Sequence, residues 1–152
     1  MPGLPGERTK SRQAWQQTAD LFNELADKVK KHKMRVGYHN HTIEFKPLDG
    51  ELPWDTFFGR TRREVVMQFD TGNAMEGGGD ATVYLKKYPG RAATVHVKPF
   101  SKAKPNALMG EDELPWKEIF QPAIFYAEQG YPVPEIIHDY WRASAPNLAK
   151  DA

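Results

Sequence analysis

The chain has 152 residues and a formal net charge of +1. That length can bury the core of one domain but is short for a large closed barrel, and the charge supplies no field to draw nucleic acid or an anionic membrane. Cysteine is absent and no apolar run could span a bilayer or serve as a secretion signal, so disulfides and thiolate ligands are excluded and a cytoplasmic location is expected.

Met1 to Gly6 reads as a loop or an internal boundary. From Ser11, a good N-cap, the apolar residues Trp15, Ala19, Phe22, Ala26 and Val29 recur at steps of three and four, which predicts a helix with one buried stripe. Lys28, Lys30, Lys31 and Lys33 close it with cations that suit the negative end of its dipole. A strand follows from Met34 and runs into Tyr38-His39-Asn40-His41. Alternation puts His39 and His41 on one face and Tyr38 and Asn40 on the other. Two imidazoles at this spacing can converge on one divalent ion, although a bare pair is more often two polar residues finding hydrogen bonds near a strand end.

Asp49-Gly50 marks a turn, and a short helix is expected from Trp54 to Gly59. Val65 to Asp70 is near-continuously apolar, as in a parallel strand covered on both faces, and ends in a carboxylate. Gly77-Gly78-Gly79 punctuates the chain without the Lys-Ser/Thr ending of a phosphate loop. Asp80 then caps a helix through Val83, Tyr84 and Leu85 that Pro89-Gly90 stops. A third strand, Ala92 to Lys98, places His96 and Lys98 on one face. Pro99 to Gly110 is the longest loop and a candidate lid. Glu111, Asp112 and Glu113 read as dipole partners of a helix that starts near Pro115 and buries Trp116, Ile119 and Phe120. Pro122 interrupts that helix, Ile124 to Ala127 resume it, and Val133 to His138 form a short strand flanked by prolines.

Helix and strand alternate as in repeated βα units around a parallel sheet. Such sheets carry their chemistry at the carboxyl ends of the strands, where His39, Asp70 and His96 all fall, with Lys98 nearby.

The segments GYHNHTIEF, QFDTGNAMEGGGD, YLKKYPGRAATVHVKPFS and GEDELPWKEIF resemble, in this order and spacing, the sugar phosphate isomerase/epimerase family of xylose isomerase-like TIM barrels. The resemblance covers about Ser11 to Phe120 of a single domain over residues 1–152, with 121–152 a divergent tail. It implies a partial (β/α)8 barrel, roughly strands five to eight with their helices. It also implies a divalent metal (Mn, Zn, Co or Mg) held by His39, Asp70 and His96. Glu44 and Lys98 would then be catalytic, and His41, Asn40 and Lys98 would bind substrate. Many members carry a carboxylate in place of His39, Lys-Asp in place of Lys98-Pro99, and Pro in place of Ala81. The family's last strand supplies a glutamate ligand, for which Glu135 is the candidate here.

The activity implied is metal-dependent isomerisation or epimerisation of a sugar, sugar phosphate or keto-sugar through an enediolate-type intermediate. The alternatives are a lyase or dehydratase of the same superfamily, or an inactive, truncated barrel fragment that keeps a partial metal site. Nucleic-acid processing is disfavoured by the near-neutral charge and by five histidines, too few for a trinuclear zinc cluster. The family barrel is about twice this length. Half a barrel leaves open sheet edges and an inner face, here Val36, Val66, Phe69 and Val95, against solvent or another chain. The expectation is a homo-oligomer, a chain completed by an N-terminal half, or a marginal, aggregation-prone monomer.

Overall fold

The computed structural model describes residues 3–121 and the backbone of residues 135–138. Four parallel strands lie side by side in chain order: β1 (Gly37–His39), β2 (Val66–Asp70), β3 (Ala92–Val97) and β4 (Glu135–His138). Between them run α1 (Arg12–Lys30) before β1, α2 (Pro53–Phe58) before β2, and α3 (Thr71–Gly77) and α4 (Ala81–Lys87) before β3. Residues 116–121 are helical, at the place expected for Trp116 to Phe120. No helix among the described residues is long and apolar enough to cross a membrane.

Local chemistry explains the element starts. Ser11 caps α1, its side chain accepting from the Ala14 N–H at 3.1 Å. Pro53 opens α2, where its missing N–H costs nothing. Asp80 caps α4 by accepting from the Thr82 N–H at 2.7 Å. The segment around Ile124 and Val133 lies outside the described residues, but the strand expected near His138 is present as β4.

The register sorts side chains into two rows. Tyr38 stands beside Met67, and Phe69 beside Val95, all sealed under the helices. Tyr38 meets Phe57 at 5.0 Å between ring centroids and Trp15 at 5.9 Å, so β1, α1 and α2 share one aromatic core. The other row, His39, Gln68, Thr94 and His96, is only half-buried. This corrects the expected inner face. Val36 and Val66 are half-exposed as anticipated, but Phe69 and Val95 are 0% and 4% exposed because their parity turns them towards the helices. The open face is therefore mainly polar.

α3 is the element that sequence reading missed. It starts on the residue after β2, with no intervening loop, and ends on Gly78 in the left-handed region. Its small residues let it lie close to its neighbours: a Cβ at Gly72 would stand 2.7 Å from the Lys98 carbonyl oxygen, and one at Gly77 would stand 2.5 Å from that of Thr42. Those two contacts fix α3 over the carboxyl ends of β1 and β3.

Candidate metal centre

Asp70 closes β2 and begins α3, and each part of it is held. Its Oδ1 accepts from the Asn73 N–H at 2.7 Å, making it the cap of α3. Its backbone N–H donates to Asn40 Oδ1 at 2.7 Å, and its carbonyl accepts from Asn40 Nδ2 at 2.9 Å. Asn73 Nδ2 in turn donates to the Asn40 carbonyl at 3.0 Å. The cap bond orients the carboxylate, and the Asn40 amide holds the backbone that carries it.

Its other oxygen, Oδ2, is buried and no donor is aligned on it as a hydrogen bond. Two imidazole nitrogens stand close to it instead, His96 Nδ1 at 2.8 Å and His39 Nε2 at 3.3 Å. The His39 and His96 rings are 5.2 Å apart between centroids. Burial pushes the Asp70 carboxyl up, but the His39 and His96 side chains and the Asn73 N–H outweigh it and hold the carboxyl at about 2. The group is thus an anion at neutral pH, flanked by two nitrogen donors.

That arrangement fits a divalent cation. One donor atom from each of His39, Asp70 and His96 lies within 4.8 Å of the others. Bonds of about 2.0–2.2 Å from zinc to nitrogen and oxygen put neighbouring ligand atoms about 2.8–3.6 Å apart at right or tetrahedral angles. Both nitrogen-to-oxygen separations at Oδ2 fall in this range. A buried carboxylate oxygen between two imidazole nitrogens is a donor set that could hold such an ion.

The other residues marked in the sequence have mixed placements. The His41 ring lies edge-on to His39 at 5.4 Å between centroids, so it borders the cluster. Lys98 leaves the end of β3, its backbone N–H donating to Thr71 Oγ1 at 3.0 Å and its Nζ donating to Asn73 Oδ1 at 2.6 Å. Asn40 is fully buried, with both ends of its amide engaged by the Asp70 backbone. Glu44 is also fully buried: one oxygen accepts from the Tyr38 hydroxyl and the other from the His41 N–H at 2.8 Å. The Tyr38 hydroxyl is pushed up by burial and by the Glu44 carboxylate, so it stays a donor. Glu135 pairs with Thr94, two residues short of the rung that carries His96, and its side chain lies outside the described residues.

Three residues here escaped sequence reasoning. Gln68 Oε1 lies 2.9 Å from His39 Nδ1, and its Nε2 donates to Thr94 Oγ1 at 3.1 Å. Asn73 bridges Asn40 and Lys98. A signal for Gln68 did exist: it is the lone amide in an apolar strand, two residues before Asp70 and so on the neighbouring rung of one face.

An inosose dehydratase from Clostridium perfringens is 30% identical over 104 residues, 68% of this chain and 34% of the relative. An inosose dehydratase from Serratia proteamaculans is 36% identical over 91 residues, 58% of this chain and 30% of the relative. The chain thus spans about a third of the length of these curated relatives. A solved sugar phosphate isomerase/epimerase from Parabacteroides distasonis shares the fold, with a TM-score of 0.74 at 22% identity, over 90% of this chain and 49% of that one. The family model for the xylose isomerase-like TIM barrel matches residues 1–152: the chain belongs to that family.

Proposed function

We propose that the chain carries the metal-binding part of an enzyme that acts on a polyhydroxy carbonyl compound: a sugar, a sugar phosphate or a keto-sugar. We place its four strands in the second half of the barrel, strands five to eight, on the strength of the motifs around His39, Asp70 and His96. The single observation that carries the reading is Asp70 Oδ2, buried, anionic and lacking an aligned donor, between two imidazole nitrogens.

His39, Asp70 and His96 would hold the ion. When bound, a divalent ion supplies Lewis acidity that polarises a carbonyl and makes the neighbouring proton easier to remove. The chain's own residues do the rest. Asn40 and Asn73 keep Asp70 in its rotamer. The ammonium of Lys98, anchored by Asn73, places positive charge beside the site, where it would attract a substrate oxygen or phosphate. The His41 ring borders the cluster and would contact the substrate. Glu44, chosen from the sequence as a base, is better read as a latch that ties the turn after β1 to Tyr38.

An isomerase and a dehydratase both begin by removing a proton next to a carbonyl, through an enediolate or enolate. The relatives named inosose dehydratase are the observation that keeps the second reaction in view. Mixed nitrogen and oxygen donors favour zinc, manganese or cobalt over calcium. Elemental analysis after dialysis should find about one such ion per chain, and Asp70→Asn should lose most of it while keeping its circular dichroism. Stoichiometric metal in the Asp70→Asn protein would show that the ion, if any, is held elsewhere.

A further inference from the structure

The two histidines present different nitrogens to Asp70, Nε2 from His39 and Nδ1 from His96. A neutral imidazole can coordinate only through its unprotonated nitrogen, so the proton on His39 must sit on Nδ1. Free histidine side chains favour the opposite form, with the proton on Nε2. Something in the protein has to reverse that preference.

The atom facing His39 Nδ1 is Gln68 Oε1, at 2.9 Å. An amide oxygen only accepts, so it selects the form with a proton on Nδ1. The other end of the amide is also engaged, its Nε2 donating to Thr94 Oγ1 at 3.1 Å on the next strand. β1, β2 and β3 pair in register here, His39 beside Gln68 and Gln68 beside Thr94. The three side chains form one hydrogen-bonded row across the sheet.

We propose that Gln68 is a positioning residue: it fixes the proton of His39 on Nδ1 and so aims Nε2 at the metal, with Thr94 orienting the amide. This rests on reading His39, Asp70 and His96 as the metal site. Partners of this kind typically change metal affinity by about 10–100-fold when removed.

The test uses the full chain and cobalt(II) alone as the probe, followed by its visible absorption. Gln68→Met keeps the shape and removes the acceptor. Gln68→Glu keeps an acceptor. Cobalt should bind the Gln68→Met protein about 10–100-fold more weakly than wild type, and Gln68→Glu should restore binding. Imidazole nitrogen NMR of the metal-free proteins, at a pH where His39 is neutral, reads the proton directly. Nδ1–H is expected in wild type and Gln68→Glu, and a shift towards Nε2–H in Gln68→Met. A merely structural glutamine would move stability without moving this signature. Cobalt binding that is equal in wild type and Gln68→Met, or a wild-type His39 protonated on Nε2, overturns the proposal and leaves the metal site standing. A wild-type chain that takes up no cobalt overturns the site itself, and the role of Gln68 with it.

Discussion

At Asn40 the chain leaves the sheet, and the side-chain amide continues the ladder for one more rung. Its oxygen and nitrogen meet the N–H and carbonyl of Asp70 as a neighbouring peptide would, at 2.7 and 2.9 Å. A primary amide is the one side-chain group with an acceptor and a donor so spaced, which is why a polar residue sits fully buried here. Asn40→Ala would leave two buried backbone groups unpaired, each costing about 1–3 kcal/mol. We expect the variant to be destabilised by about 2–6 kcal/mol on that basis, measured by urea denaturation, and to bind zinc more weakly because Asp70 is no longer aimed. An unchanged urea midpoint would show that water satisfies these groups and that the clasp is dispensable. Sequence alone marked Asn40 for substrate binding and Glu44 for catalysis without showing the internal partners that hold both side chains. Both are polar residues just after β1, and what shows their role is a partner: Asp70, 30 residues away, for Asn40, and the Tyr38 hydroxyl for Glu44.

The elements that were legible are those with a clear period. α1 shows its stripe of Trp15, Ala19 and Phe22, and β2 and β3 show their runs ending in Asp70 and at His96. α3 was not legible, because Thr71-Gly72-Asn73 and the glycines after it carry turn chemistry and Asp70 serves as strand end and helix cap at once. The loop after β3 was recognised as a loop, but the role of its acids was misread. Glu111, Asp112 and Glu113 do not serve mainly as dipole partners of the helix that follows. Glu113 Oε1 accepts from Ser101 Oγ at 2.9 Å and the Lys102 N–H at 2.8 Å. Asp112 accepts from Trp116 Nε1 at 2.8 Å and the Phe100 N–H at 3.3 Å, and Glu111 pairs with Lys104. The acids staple the base of the loop while residues 102–106 stay exposed. If this loop is a lid, protease nicking between Ser101 and Asn106 should slow when metal and a sugar analogue are added. Glu113→Ala should raise the nicking rate without ligand. Equal rates with and without ligand would remove the lid and leave a stapled surface loop.

On the scale of the whole molecule, the question is what completes the sheet. In a closed parallel barrel every strand has two neighbours, and inward side chains pack in layers drawn from all the strands. Here the described sheet has four strands, β1 has β2 as its one partner, and the solved relative of the same fold is about twice as long. The correction at Phe69 and Val95 changes the expected driving force. Those side chains are already sealed, and the open row is polar, so burial of an apolar patch supplies less than anticipated. The outer edge of β1, unpaired among the described residues, and the half-buried Val36 and Val66 remain. An open strand edge is a template for pairing with another chain, and a second copy of the chain offers one. We therefore expect self-association: the apparent mass in sedimentation equilibrium should rise with concentration, and the melting temperature should rise with it, since assembly stabilises the folded state by mass action. Zinc should raise the melting temperature further, because an ion bound by β1, β2 and β3 ties the first three strands together. A monodisperse monomer with a high melting temperature, unchanged over a wide range of concentration, would show that four strands close their own core without help.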